Sequence, residues 1–334
     1  MDQPLFDSFN RATEAAGSGV HDGALADAVF EPEILESKAA LPSGAYADDD
    51  AGIPQPVNWI VSFPRSGNTF IRSLFANYAS GLDRPMTMSE LAAASWGEHS
   101  EEFLAPLTGK QPQDRTHEEE WRVRPAYFDK VRTRINRLMP MIKSHTPVGE
   151  VYGLRAFDFA VGDKVIQIVR HPCDVVVSVA DYYNFSIDKA IDQVLKLDTC
   201  YYGAPDQGYE LVGSWSQHTR SWMKEMPVPM ARFSYDALIE NPVNILVELL
   251  KFIGFCPDQN RAEQSVEFCR FGRMKSAAAA EGFSETASTA QNGYFREGKP
   301  DQWLDKLTVN QARRVLDHDP ELIALFGFSR LSVS

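Results

Sequence analysis

The stretch Val57-Asn58-Trp59-Ile60-Val61-Ser62, then Phe63-Pro64-Arg65-Ser66-Gly67, then Phe70, Ile71, Leu74, Phe75 and Tyr78 at helical spacing constrains the fold most. It reads as a strand, a short glycine-containing loop and a helix that Gly81 stops. Such a corner is a physical recipe for holding an anion. Backbone amides from Ser66 to Thr69 would converge where the helix dipole favours negative charge. Gly67 permits close backbone approach, and Arg65 adds a permanent planar cation. The GxxxxGK[ST] pattern is absent, because the loop lacks its first glycine and its lysine. The same residues are also compatible with an ordinary strand–turn–helix corner carrying a solvated arginine.

The rest of the chain alternates in the same way. Lys164 to Val169 is nearly all apolar, as expected of a strand buried on both faces. His171-Pro172 opens a helix through Val175, Val176, Val179 and Tyr183, with Pro172 at a first helical position. A helix is expected from Pro125, carrying Tyr127, Phe128, Val131, Ile135 and Leu138, followed by a short strand from Met139 to Lys143 that ends in Ser144-His145. Ala231 to Ser234 is a further strand. Asn241-Pro242 caps a helix that runs to Gly254, with Val243, Leu246, Val247 and Leu250 inward. Thr308 and Gln311 form a capping box for a last helix. Residues 83–123 are irregular and helical by turns, and residues 275–293 read as a mobile loop. The alternation predicts an α/β fold with a P-loop-like, mainly parallel central sheet flanked by helices.

Charge divides the chain. Residues 1–56 hold 11 acids against Arg11 and Lys38, which is −9 of the formal net −13. This part reads as an acidic N-terminal extension and linker, with a short helix near Phe30 to Leu41. Residues 57–334 read as a single α/β domain. The net charge argues against a nucleic-acid partner. No apolar run approaches the roughly 20 residues that cross a bilayer, and no signal peptide is visible, so no membrane association and a cytoplasmic location are expected. Cys173, Cys200, Cys256 and Cys269 lack CxxC spacing and read as reduced thiols. No His/Cys/carboxylate cluster predicts a metal.

Four co-linear segments resemble one family. Phe63-Pro64-Arg65-Ser66-Gly67-Asn68-Thr69-Phe70 resembles the 5′-phosphosulfate loop of sulfotransferases that use 3′-phosphoadenosine 5′-phosphosulfate (PAPS), with Arg for Lys, Asn for Thr and Phe for Trp relative to cytosolic members. Arg170 and Ser178, eight apart, resemble the family's 3′-phosphate pair; taken alone, Arg170 and Asp174 would equally read as a structural bridge. Tyr294-Phe295-Arg296-Glu297-Gly298-Lys299-Pro300-Asp301-Gln302-Trp303 resembles the element that closes over that phosphate, with Glu297 in place of a lysine and Asp301 in place of a glycine. Met141-Ile142-Lys143-Ser144-His145-Thr146-Pro147 resembles the segment that carries the family's catalytic histidine.

The resemblance spans roughly residues 57–308 and implies a soluble PAPS-dependent sulfotransferase. It assigns catalysis to His145 as general base, Lys143 on the sulfuryl oxygens, Arg65 on the leaving oxygen and Ser178. It places Arg65, Ser66, Gly67, Asn68, Thr69, Phe70, Arg170, Ser178, Tyr235, Phe271, Arg296, Glu297 and Gly298 around the nucleotide, with Phe70 and Phe271 sandwiching adenine, Tyr235 bonding it, and Glu297 not engaged through its carboxylate. The co-substrate would be PAPS, with no metal, and the acceptor a small molecule presenting a hydroxyl or, less favoured, an amine. Aromatics Trp96, Trp121, Tyr152, Phe157, Tyr182, Tyr183 and Phe185 would suit an apolar or ring-containing acceptor. Thr308-Val309 matches half of the family's dimer element, with Leu304 and Arg313 at its normally charged ends, so the oligomeric state stays open. A P-loop kinase or NTPase, or a non-catalytic nucleotide-binding protein on the same fold, are the alternatives.

Overall fold

A computed structural model describes residues 55–135, 140–197, 200–202, 209–286, 293–295 and 297–328. In chain order the elements are β1 (Asn58–Ser62), α1 (Asn68–Ser80), α2 (Met88–Ala93), α3 (Glu101–Thr108), α4 (His117–Arg134), β2 (Met141–Ser144), β3 (Glu150–Val151), β4 (Leu154–Arg155) and β5 (Lys164–Val169). Then follow α5 (Pro172–Tyr183), α6 (Ile187–Leu195), β6 (Cys200–Tyr202), β7 (Tyr209–Leu211), α7 (Trp215–Ser221), β8 (Met230–Ser234), α8 (Tyr235–Glu240) and α9 (Pro242–Phe252). The last helices are α10 (Gln259–Phe268), α11 (Phe271–Glu281), α12 (Trp303–Lys306), α13 (Val309–Leu316) and α14 (Pro320–Leu325).

The central sheet has the order β2-β1-β5-β8, and every pairing in it is parallel. β1 is buried throughout, and its side chains alternate between faces. Ile60 packs with Ile71, Leu74 and Phe75 of α1 and with Leu246 and Leu250 of α9. Trp59 and Val61 pack on the other face with Tyr127, Phe128 and Val131 of α4. Helices thus cover both faces, as a buried parallel sheet requires. Among the described residues no helix is long and apolar enough to cross a membrane.

The amino end of the sheet is pinned by one carboxylate. Asp163 is fully buried just before β5. It accepts from the Val57 amide (2.9 Å), Trp59 Nε1 (3.0 Å), the Ala160 amide (3.1 Å) and both Arg132 nitrogens (2.6 and 2.5 Å). It therefore ties β1, β5 and α4 together at the amino end of the strands.

Several local expectations change. The helix expected from Pro125 begins at His117, because Thr116 and Glu119 form a capping box. Three carboxylates, Glu118, Glu119 and Glu120, suit its first turn. Pro125 lies inside it and removes one backbone donor. Ile135 is already extended at the C-cap, and Leu138 lies outside the described residues. Asn241 forms no side-chain cap; Pro242 opens α9, which ends at Phe252. Part of the expected loop at 275–293 is helix to Glu281, since Ala277 to Ala280 are strong helix formers. Residues 287–292 lie outside the described residues, as do residues 1–54 with the helix expected near Phe30 to Leu41. The Thr308–Gln311 capping box is present as expected.

Candidate active site

β1 and β5 are neighbours, yet the chain leaves β1 toward β2 on one side and β5 toward β8 on the other. The crevice outside their carboxyl ends is where an open α/β sheet binds ligands. The loop after β1 and Arg170 after β5 both open into it. They line one cavity of about 380 Å³, together with His145, Ser178, Tyr235, Phe70 and Phe271.

The loop after β1 is held in an unusual backbone path. Arg65 has φ 65° and Gly67 φ 99°. A Cβ on Gly67 would lie 2.7 Å from Tyr235 Cδ2, so glycine is required both by conformation and by space. The first turn of α1 contains no acidic residue, and Gly67 offers no side-chain cap. The opening amides of α1 therefore remain available to an anion. Ser66 is buried, and its Oγ has no hydrogen-bond partner among the described residues. Asn68 turns its side chain inward, donating to the Ile60 carbonyl (2.9 Å) and accepting from Arg72 Nε (2.9 Å). Thr69 Oγ1 lies 2.7 Å from the Tyr294 hydroxyl.

Arg65 reaches away from its own loop. Its Nε donates to Ser178 Oγ (3.2 Å) and its terminal nitrogen to the Tyr294 carbonyl (2.9 Å). Its guanidinium lies 4.2 Å from the Tyr182 ring centroid and 4.9 Å from that of Tyr294. The residue expected at the leaving oxygen is thus cross-linked to the residue expected at the 3′-phosphate.

Arg170 donates to the carbonyls of Arg65 (2.9 Å) and Lys299 (3.3 Å), and stacks 4.2 Å over the Tyr235 ring. Its Nε is buried without a hydrogen-bond partner among the described residues. Asp174 does not bridge it; that carboxylate accepts from the amides of Asp301 (2.8 Å) and Trp303 (3.1 Å). The 294–303 element is therefore anchored through α5. Asp301, which replaces a glycine of the family pattern, adopts φ 58°, and Asp tolerates that left-handed region better than most residues. Gly298, at φ 66°, packs so closely on Phe271 that a Cβ would fall 2.3 Å from its ring. Glu297 lines the cavity. Arg296 lies outside the described residues.

His145 is nearly buried at the end of β2. Its Nδ1 lies 2.6 Å from the Ser62 carbonyl oxygen. A carbonyl only accepts, so Nδ1 carries the proton and Nε2 keeps its lone pair. Burial is the main cause that pulls the imidazole pKa below 6.5, opposed by the charge of Glu210 and reinforced by Lys143. Lys143 Nζ lies 3.8 Å from Glu285 Oε2. Burial acts to lower the lysine pKa, but Glu285 and Glu210 outweigh it and the pKa is raised.

The sequence reading missed the residues that join these parts. Ser62 fixes the histidine tautomer. Arg72 and Glu285 pair at 2.8 Å between α1 and the segment after α11. Tyr182 and Tyr294 flank Arg65. Arg72 had a local signal, a lone charge in the otherwise uncharged stretch Phe70-Ile71-Arg72-Ser73-Leu74-Phe75. Glu285 and Tyr294 contact α1 from more than 200 residues away, where no periodicity points to them. His218, buried with neither ring nitrogen hydrogen-bonded among the described residues, was also missed; burial and the nearby His145 hold its pKa at about 3. Of the aromatics expected at the acceptor, Tyr182 reaches the site, whereas Trp121 and Phe157 belong to the core. The described residues contain no cluster suited to a metal ion.

A family profile described as "Sulfotransferase domain" matches residues 55–327. Cytosolic sulfotransferase 16 of Arabidopsis thaliana is 23% identical over 297 residues, covering 82% of this chain and 78% of that protein. Sulfotransferase 1A1 of Rattus norvegicus is 27% identical over 167 residues, which is 46% of this chain and only 54% of the rat protein. Among solved structures, mouse sulfotransferase SULT7A1 complexed with PAP aligns with a TM-score of 0.54 at 19% identity, covering 80% of this chain and 85% of that one. Retinol dehydratase in a complex with retinol and PAP also gives 0.54, at 13% identity, covering 82% and 84%. At such identities these two structures show a shared fold.

Proposed function

The chain belongs to the sulfotransferase domain family, and on that premise we propose that it moves a sulfuryl group from PAPS to a hydroxyl, or less readily an amine, of a small-molecule acceptor. The observation that carries this reading is the convergence, in one cavity, of the α1 anion loop, Arg170 with Ser178, and a histidine whose proton is fixed on Nδ1. A generic phosphate cradle would not need the last of these.

The residues present fit such a nucleotide. Ser66 Oγ and Arg170 Nε are buried donors lacking a partner among the described residues, Gly67 at φ 99° lets the backbone follow a path closed to other residues, and Phe70 and Phe271 line the same cavity. PAP, present in the mouse and retinol dehydratase complexes, has the anionic ends and the base that these groups would accept. PAPS supplies the sulfuryl group and a bisphosphate leaving group. His145 Nε2 takes the acceptor proton as the new S–O bond forms and the bond to the leaving oxygen breaks. Lys143 steadies the sulfuryl oxygens. The α1 amides and Arg65 meet charge growing on the leaving side, while Arg170 and Ser178 hold the 3′-phosphate and so set the register.

The base must be neutral to act. A pKa held below the ordinary 6.5 keeps it neutral through mildly acidic solution, so the acid limb of kcat/KM is expected to have its midpoint below pH 6.5. Transfer from labelled PAPS to phenols, alcohols, sugars and amines, followed across pH, tests both statements. No transfer to any acceptor despite bisphosphate binding would leave a non-catalytic nucleotide-binding protein. Magnesium-dependent ATP binding would favour the kinase reading.

Arg170→Ala is expected to raise the dissociation constant for 3′,5′-adenosine bisphosphate by about tenfold to hundredfold, the scale of a lost charge-assisted hydrogen bond. The turnover number at saturating donor should change less. Calorimetric titration beside steady-state kinetics checks the split.

A further inference from the structure

Arg72 lies on α1, one turn beyond the donor loop, with only 5% of its side chain exposed. Its guanidinium donates to Asn68 Oδ1 (2.9 Å), Thr69 Oγ1 (3.1 Å), Ser95 Oγ (2.6 Å) and both carboxylate oxygens of Glu285 (2.9 and 2.8 Å). The Glu285 carboxylate is itself 13% exposed. One of its oxygens, Oε2, also faces Lys143 Nζ, but at the longer distance of 3.8 Å. Two cations therefore compete for one carboxylate, and Arg72 holds it by geometry.

This arrangement matters because Lys143 has a second claimant. An ammonium already locked to a carboxylate is a weak partner for the oxygens of a transferring group. Burial strengthens that competition, since charges attract more strongly away from water. We propose that Arg72 is a positioning residue for sulfuryl transfer: by clamping the Glu285 carboxylate, it keeps the Lys143 ammonium available to the sulfuryl oxygens of the donor. The inference rests on the reading of Lys143 given under the proposed function. The paired state of Glu285 is consistent with it. Burial would raise its pKa, but Arg72 and then Lys143 outweigh burial and hold it at about 2, so the carboxylate stays charged and capable of capturing Lys143. Arg72 also fixes the side chains of Asn68 and Thr69, which joins the clamp to the loop that holds the donor.

The clamp predicts an inversion of sign between two substitutions. In the full chain, Arg72→Gln frees Glu285 to close on Lys143, and kcat with labelled PAPS is expected to fall by roughly tenfold to hundredfold. Adding Glu285→Gln removes the competitor, and kcat is expected to recover by about tenfold, within the coupling seen for side chains in contact. Arg72→Lys keeps a cation against Glu285 and should lose less kcat than Arg72→Gln. Should Arg72→Gln not fold, Arg72→Met is read in the same way.

A second readout needs no turnover. The rate at which acetic anhydride modifies Lys143, followed by mass spectrometry, should fall in Arg72→Gln and return in the double variant. A double variant no faster than Arg72→Gln in turnover and in Lys143 modification overturns the clamp. If the unmodified protein transfers no sulfuryl group at all, the functional reading falls, while the modification rates still confirm or refute the clamp.

Discussion

In His145→Ala, the turnover number for sulfuryl transfer is expected to fall by about 10²- to 10⁴-fold, the usual worth of a positioned general base. The affinity for 3′,5′-adenosine bisphosphate should stay nearly unchanged. The separation follows from geometry. The imidazole bonds to the Ser62 carbonyl at the end of β1, whereas the groups proposed to hold the anions belong to the start of α1 and to Arg170 and Ser178. Removing the ring leaves those groups in place. Nor can the other buried imidazole nearby take over, because His218, held at a pKa of about 3, is a poor base. Steady-state kinetics beside calorimetry decides the matter. An unchanged turnover number would remove His145 from the mechanism.

The second large effect lies at the opposite end of the sheet. Asp163→Asn is expected to lower folding stability by about 3–5 kcal/mol, the cost of removing one partner of a buried ion pair. The Asp163 side chain is fully enclosed, and that of Arg132 is 5% exposed. The substitution keeps the shape but leaves the Arg132 guanidinium charged and uncompensated. It also weakens acceptance from Trp59 Nε1 and the Val57 amide, which hold β1 in place. Urea denaturation should show a lower midpoint with an unchanged slope. Asp163→Asn with Arg132→Met should recover much of the loss, because the orphaned charge is gone. Bisphosphate affinity of the folded protein should be preserved in both, since Asp163 lies at the amino end of strands whose carboxyl ends carry the site. A midpoint that does not move would show that the pair contributes nothing net.

Much of this molecule was legible before any coordinates. The strand at residues 58–62, the helix from Asn68 and the apolar run from Lys164 to Val169 declare themselves by spacing, because a side chain's burial follows its own local period. The errors were also local and have local causes. Pro125 looked like a helix start, but the Thr116–Glu119 box begins the helix earlier. The stretch from Ser276 looked like loop because its flanks are rich in Ser, Thr and Gly, although its alanines favour helix.

The sequence by itself determined the α/β alternation, the strand–loop–helix corner with Arg65 and Gly67, and the order in which Lys143, His145, Arg170 and Ser178 come along the chain. Those features depend on residue type and near neighbours alone. Only the tertiary structure decided which polar groups would meet. Arg65 turned to Ser178 and Tyr294 instead of its own loop, His145 Nδ1 donated its hydrogen bond to the Ser62 carbonyl, and Arg72 captured Glu285 from 213 residues away. The reason is physical. A buried donor or charge must find a partner once water is excluded, and which partner lies within reach is set by how the sheet and helices pack, a property no short window of sequence contains.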